Sequence, residues 1–287
     1  LIFMCYQGHK YQNDQCSKVE DAVTIEEALQ ININNKPYTV MMRSPGNEEE
    51  MIHGLFFTED VYTSEPFLEM EIVKKNDLGY ITTVNTNIPE HHLGKGYLSS
   101  RSILSVSSCG ICGKRELEDI KVEGNAIFST FRINQSLLTA CFKSMNGQQE
   151  IFNQTGGSHA AAAFDESGNL LATREDVGRH NAVDKVIGSL LFGKELKKAR
   201  ILLVSGRVSY EIVTKAFRAK IPVLAAVSAP SSLAVDYAKE LGITLLGFCR
   251  ENRFTCYANP GRILSGNVAF HNQEDHFTTT SETNRYE

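Results

Sequence analysis

The run Ile201-Leu202-Leu203-Val204-Ser205-Gly206-Arg207 decides how this chain is built. Four aliphatic residues in succession suit a strand buried on both faces, and Ser205-Gly206-Arg207 closes it with small and charged groups. A helical segment over 209–219 follows, then a second buried strand, Val223-Leu224-Ala225-Ala226-Val227. Pro230 suits the first position of another helix. Gly242 ends that helix, and Ile243-Thr244-Leu245-Leu246-Gly247-Phe248 is a third strand. Strands alternating with helices at this spacing predict a layered α/β unit with largely parallel strands. Ligands bind such sheets beyond the carboxyl ends of the strands. Ser205-Gly206-Arg207 and Cys249-Arg250-Glu251-Asn252-Arg253 both fall at that position.

Upstream, Val183, Val186, Ile187, Leu190 and Leu191 recur at helical spacing. Leu170-Leu171-Ala172-Thr173 reads as a strand after the turn Asp165–Asn169, and Gln135 to Met145 as a helix with Leu138, Cys141 and Phe142 inward. Ile127–Phe131 reads as a short strand. Nearer the start, Ala28–Ile33 and Tyr38–Met42 make a hairpin about Asn34-Asn35-Lys36-Pro37. Asn47 is placed to cap a helix with Glu48, Glu49 and Glu50 in its first turn and Met51, Ile52, Leu55 and Phe56 as its stripe. Glu69–Val73 and Tyr80–Val84 make another strand pair. The expected organisation is a loose leader over 1–20, a small α+β domain over 21–108, a cysteine loop at 109–116, an α/β domain over 117–265, and a polar, disordered tail over 266–287.

The 287 residues carry a formal charge of −5, which speaks against a general nucleic-acid binder. No apolar run reaches the length of a membrane span, and Leu1–Tyr6 is too short for a signal peptide. Seven cysteines, an odd number in a chain of this size, suit reduced thiols in the cytoplasm.

Two of them stand in Ser107-Ser108-Cys109-Gly110-Ile111-Cys112-Gly113-Lys114. A glycine follows each cysteine, which suits a tight loop, and Lys114 and Arg115 favour thiolate. A CxxC pair of this kind serves as a redox couple, as half of a metal site, as a carrier of sulfane sulfur, or merely as a turn. His159 among alanines reads as a packed histidine or as a site residue. Arg174–Asn181, with Arg179 and His180, reads equally as a solvated face or as an anion site at a helix start. Arg250 and Arg253 suit phosphate.

Together with Thr155-Gly156-Gly157-Ser158-His159-Ala160-Ala161, Glu175–Lys185, Ser205-Gly206-Arg207 and Ala225–Pro230, the cysteine loop resembles the FdhD family of sulfur carrier proteins, from about Val23 to Ile263. The resemblance implies a cytidine-deaminase-like layered α/β domain, a second, smaller α+β domain, and a homodimer. It implies a sulfurtransferase that takes sulfur from a cysteine desulfurase as a persulfide on Cys109, with Cys112 beside it. The sulfur passes to the molybdenum or tungsten of a bis(molybdopterin guanine dinucleotide) cofactor before that cofactor enters the formate dehydrogenase catalytic subunit. The family's cofactor contact matches Phe248, Cys249, Arg250, Glu251, Asn252 and Arg253. Ser205, Gly206, Arg207, His159, Arg179 and His180 are expected to join it. Guanine nucleotides such as GDP would occupy the same site, and no permanently bound cofactor or metal is expected.

Three other functions are open to test. A zinc deaminase needs His-x-Glu and Pro-Cys-x-x-Cys, but Ala161 stands two after His159 and Ser108 precedes Cys109. A thioredoxin-like redox pair would start a helix, which Gly113 disfavours. A cofactor chaperone that carries no sulfur is distinguished only by following the sulfur.

Overall fold

The computed structural model describes residues 2–64, 68–99, 124–251 and 253–264. The first part of the chain contains β1 (Phe3–Gln12), β2 (Gln15–Thr24), β3 (Glu27–Ile33), β4 (Lys36–Arg43), α1 (Glu48–Thr58), β5 (Met70–Lys75), β6 (Ile81–Thr86) and α2 (Lys95–Ser99). The second contains α3 (Gln135–Gly147), α4 (Glu150–Thr155), β7 (His159–Phe164), β8 (Leu170–Asp176), α5 (Arg179–Phe192), β9 (Ile201–Val204), α6 (Tyr210–Arg218), β10 (Val223–Ala226), α7 (Ser232–Glu240), β11 (Thr244–Arg250) and β12 (Arg253–Ala258). None of the described helices is long and apolar enough to cross a membrane.

The second part is organised on a six-stranded sheet in the order β12-β11-β10-β9-β7-β8. All residues of β9 and β10 are buried, as their unbroken apolar runs require. Side chains alternate across the strand, so Leu202 and Val204 face one core and Ile201 and Leu203 the other. The first core is closed by α5, α6 and α7, and the second by Leu138, Cys141 and Met145 of α3. Helices on both faces give the layered α/β arrangement the sequence predicts.

The strands are less parallel than their spacing suggests. Only β9, β10 and β11 run parallel, while β7, β8 and β12 pair antiparallel. The cause is the short links at each side. A turn held by the Asp165 carboxylate joins β7 to β8, and two residues separate β11 from β12. Links of that length permit only hairpins.

The smaller sheet has the order β4-β3-β6-β5. Leu29, Ile31 and Ile33 of β3 pack on Met51, Ile52 and Phe56 of α1, and the other side of α1 lies on α5. That crossing depends on two glycines. A Cβ on Gly54 would overlap the Asp184 carbonyl oxygen, and one on Gly188 would overlap the Glu50 carbonyl oxygen. Lys215 of α6 reinforces the junction. Its Nζ lies 2.8 Å from Asp184 Oδ1, 2.9 Å from Thr58 Oγ1 and 3.3 Å from Glu59 Oε1.

Several sequence expectations need correction. Residues 1–20 are not a loose leader: β1 and β2 form a ten-pair antiparallel ribbon. Its turn, Asn13-Asp14, has positive φ at both residues, the geometry that matches strand twist. Most of its side chains are exposed, so no burial period marks it in the sequence. Ile127–Phe131 is no strand. The Ile127 N–H donates to the Leu241 carbonyl, and the Ile127 carbonyl accepts from Arg262, so loop groups satisfy it instead. Asn47 precedes α1 in the left-handed region and makes no side-chain cap. Pro230 lies before α7 rather than in it, bridging to Val208, and Ser231 caps that helix through the Ala234 N–H. Cys249 and Arg250 belong to β11 itself and Arg253 opens β12, so this run is a hairpin and not a loop past a strand end.

Candidate functional site

Antiparallel pairing brings the start of β7 to the same sheet edge as the end of β9. The Ala160 N–H donates to Ser205 Oγ at 2.9 Å, and the Ser205 N–H donates back to the Ala160 carbonyl. His159 and Gly206 are thereby neighbours. A Cβ on Gly206 would stand 3.2 Å from His159 Nδ1 and 3.5 Å from Arg179 Cβ, so three chain segments converge on one point.

The end of β8 and the start of α5 reach this edge because Asp176 holds them. Its Oδ1 accepts from the Gly178 N–H at 2.8 Å and from Asn181 Nδ2 at 2.9 Å. Its Oδ2 accepts from the Ser44 N–H and pairs with Lys185 Nζ at 2.8 Å. Lys185 also donates to the Ser44 carbonyl. One carboxylate thus sets the first turn of α5 and fastens the end of β4, an edge strand of the smaller sheet, to it. Glu175 does similar work next door, accepting from the N–H groups of Ile151 and Phe152 and from Ser158 Oγ.

Electrostatically the edge is receptive to anions. Burial, then the neighbouring Arg179, pushes the His159 pKa below its ordinary value; Asp176 opposes this and Arg207 adds to it. His159 is therefore neutral at pH 7. Arg179 Nε is buried with no hydrogen-bond partner among the described residues, and Arg207 is exposed. His180, expected at the site, is instead buried: its Nε2 lies 3.0 Å from Ser209 Oγ and 3.9 Å from Glu211 Oε2, tying the starts of α5 and α6 together.

Further along the same edge the chain is strained. Phe248 has φ 52, is 46% exposed, and sits where the β11–β12 register slips between Gly247 and Arg250. A bulky residue in the left-handed region costs on the order of 1–3 kcal/mol and marks functional sites when the surroundings enforce it. Here the slip buries Cys249 while leaving Phe248 and Arg250 exposed. Beside it, between α3 and the β11–β12 hairpin, is a pocket of about 260 Å³. Leu138, Phe142 and Phe254 give it apolar walls, and Lys143, Arg250 and Arg253 give it positive charge. Thr139 Oγ1 donates to the Glu251 carbonyl at 2.8 Å and fixes α3 against the hairpin.

The structure brings together His159, Arg179, Ser205, Gly206 and Arg207 in one cluster, and Cys249, Arg250, Glu251 and Arg253 around the pocket. Asn252, Cys109 and Cys112 lie outside the described residues. The thiols of the sheet and α3 are poor nucleophiles: burial pushes Cys141 up to about 11 and Cys249 up to about 12, and raises the half-buried Cys256. Among the described residues no three His, Cys, Asp or Glu side chains gather as metal ligands. Sequence reasoning missed Ser44 and the α3 residues Thr139 and Lys143, and it had Asp176 and Lys185 only as members of the Glu175–Lys185 run, without their joint hold on Ser44. No local pattern marks Ser44, which meets Asp176 and Lys185 only in the folded chain, and α3 carries no signal either.

Fold and geometry together define a mixed α/β protein with a cationic sheet edge. The chain belongs to the FdhD/NarQ family, whose model matches residues 24–264. It is 40% identical over 246 residues to the sulfur carrier protein FdhD of Sulfolobus acidocaldarius, covering 85% of this chain and 92% of that one. It is 39% identical over 262 residues to the sulfur carrier protein FdhD of Mycobacterium tuberculosis, covering 87% and 94%. A crystal structure of a Desulfotalea psychrophila protein assigned as a formate dehydrogenase accessory protein has the same fold. The TM-score is 0.71 at 22% identity, over 92% of this chain and 100% of that one.

Proposed function

We propose that this protein is a sulfur carrier in formate dehydrogenase maturation. The observation that carries the reading is the family match over residues 24–264. Within the matched span stands Cys109-Gly110-Ile111-Cys112. In this reading the Cys109 thiolate attacks the outer sulfur of a cysteine desulfurase persulfide. The donor's cysteine leaves as thiolate, and the sulfur stays on Cys109. The acceptor is the molybdenum or tungsten of the bis(molybdopterin guanine dinucleotide) cofactor, destined for the formate dehydrogenase catalytic subunit, and the carrier acts as a homodimer in the cytoplasm.

The pocket supports the cofactor half of the reading. Its apolar walls suit a flat base, and Arg250 and Arg253 suit phosphate. GDP is the accessible probe. Arg250→Ala and Arg253→Ala are each expected to weaken GDP binding by about 1.5–3 kcal/mol in calorimetry. Unchanged affinity in both would remove the pocket from the site.

The sulfur half is tested by intact-mass measurement after incubation with a cysteine desulfurase and cysteine. One added sulfur atom, lost on reduction, is the expected result. If the protein binds GDP but never retains labelled sulfur, it is a cofactor chaperone instead.

A further inference from the structure

We infer that the free edge of β2 pairs antiparallel with β2 of a second copy of this chain, centred on Val19, so that two ribbons join into one four-stranded sheet. The paired residues precede residue 24, where the match to the FdhD/NarQ family begins. The contact is therefore independent of the sulfur-carrier reading and additional to any contact made by the matched span.

The ribbon is incomplete as it stands. β1 and β2 form a sheet of two strands, and no other described strand joins it. Such a ribbon is marginal in water, and a sheet needs three or more strands to stand by itself. It is tied to the body at its base, where Thr24 Oγ1 lies 2.6 Å from Thr155 Oγ1. The 10 residues of β2 extend from there, about 33 Å at a rise of about 3.3 Å per residue. From Gln15 to Asp21 every residue of β2 except Val19 is exposed. Along that edge alternate residues turn their N–H and carbonyl groups away from β1, the arrangement that a further strand completes.

Charge selects the partner and the register. A twofold axis normal to the sheet keeps each side chain on its own face. One residue then meets itself on the axis, and residues equally distant from it meet each other. With Val19 on the axis, Lys18 of each copy stands opposite Glu20 of the other, Ser17 opposite Asp21, and Cys16 opposite Ala22. Opposite charges across strands attract, and like charges directly opposed repel. Moving the centre by one residue sets Lys18 against Lys18 or Glu20 against Glu20.

The edge of β1 offers no equivalent, because it carries His9 and Lys10 and no carboxylate to meet them. Pairing β1 of one copy with β2 of the next would leave a free edge at each end, and the assembly would not close. Val19 adds an apolar centre. Its cross-strand neighbour in the ribbon is Gly8, which has no side chain, so Val19 stays half-covered until a second Val19 lies beside it.

The test is disulfide cross-linking of the full chain, with copper–phenanthroline as oxidant and the linked peptides mapped by mass spectrometry. Val19→Cys is expected to link to itself between copies, and Ala22→Cys to link to the native Cys16 of the other copy. Ser17→Cys, which faces Asp21 in this register, should not link to itself. Lys18→Glu or Glu20→Lys, each added to Val19→Cys, should cut the yield about tenfold. The two together restore opposite charges and should recover it, a result that damage to folding cannot produce.

Sedimentation velocity on the charge variants should follow the same order. Association that persists in Lys18→Glu while the Val19→Cys cross-link is lost keeps the ribbon contact and adds a second interface elsewhere. A Val19→Cys chain that does not link, single charge changes that leave the yield unaltered, or Ser17→Cys linking to itself as readily as Val19→Cys would each overturn the inference. GDP binding and sulfur uptake by Lys18→Glu at the wild-type level would leave the carrier reading untouched by any of these results.

Discussion

Gly188 and His159 show how much rests on single positions. A methyl group on Gly188 would collide with the Glu50 carbonyl, so α1 and α5 could no longer cross at their present distance. Gly188→Ala is expected to destabilise the protein by about 2–3 kcal/mol in denaturant titration, despite the helix propensity alanine adds. A smaller loss than 1 kcal/mol would mean that the helices can part without cost. His159 bears on pH. Its folded pKa lies below the ordinary value because of burial, Arg179 and Arg207, with Asp176 opposing. The unfolded chain therefore binds the proton first as pH falls, and the histidine's contribution to stability is complete above about 6.5 and lost below it. An NMR titration should place the His159 midpoint below that of an unperturbed imidazole; a midpoint at or above about 6.5 contradicts the geometry. His159, Arg179 and Gly206 were all visible in the sequence as candidates. Their convergence was not, because it depends on β7 running antiparallel to β9. His180 looked identical in kind, and its contacts with Ser209 and Glu211 at the start of α6 were equally invisible in the sequence.

Helix α6 carries the element-scale argument. It delivers Lys215 to a fully buried pair with Asp184, to which Thr58 and Glu59 of the smaller unit contribute. Burial drives the Asp184 carboxyl up to about 6, and the Lys215 ammonium works against that shift. Removing one partner strands the other charge in the interior. Asp184→Leu alone should therefore cost about 3–5 kcal/mol, and the double change Asp184→Leu with Lys215→Met should be far milder. Equal losses from the single and double changes would show that the pair acts through packing and not through charge. Elements with a one-sided or unbroken apolar pattern were legible: β9, β10, α5, and the hairpin turning at Asn34-Asn35. The hairpin turning at Asn13-Asp14 has the same positive φ values but exposed strands, so nothing but the turn marked it. The slip at Phe248 also escaped notice, because a bulge leaves composition unchanged and only the register reveals it.

Across the whole molecule, the proposed sulfur chemistry and the proposed cofactor chemistry call on different residues. The described chain on either side of residues 100–123 is anchored near the end of α6. Upstream, Gly94 and Gly96 press on the backbone of Asp60 and Glu59, and Lys215 and Arg218 pair with these two residues. Downstream, a Cβ on Gly124 would meet the Phe217 ring at 2.9 Å. The cationic edge lies at the other end of the same helix, past Ser209. Nine residues of α6 separate the two ends, roughly 13 Å at 1.5 Å per residue. Cys109 lies outside the described residues, and none of the residues around the pocket or the cationic edge is changed by its substitution, so its loss is expected to abolish sulfur retention and spare ligand binding. Cys109→Ala is expected to take up no labelled sulfur from a desulfurase and to fail in formate dehydrogenase activation. Its GDP affinity and its denaturation midpoint should match wild type. Cys112→Ala should be milder if Cys112 only helps release the sulfur, and equally severe if the two thiols share it. Sulfur uptake by Cys109→Ala at the wild-type level would move the carrier role to Cys112. A parallel loss of GDP binding in Cys109→Ala would show that the Cys109 side chain serves ligand binding as well as sulfur transfer.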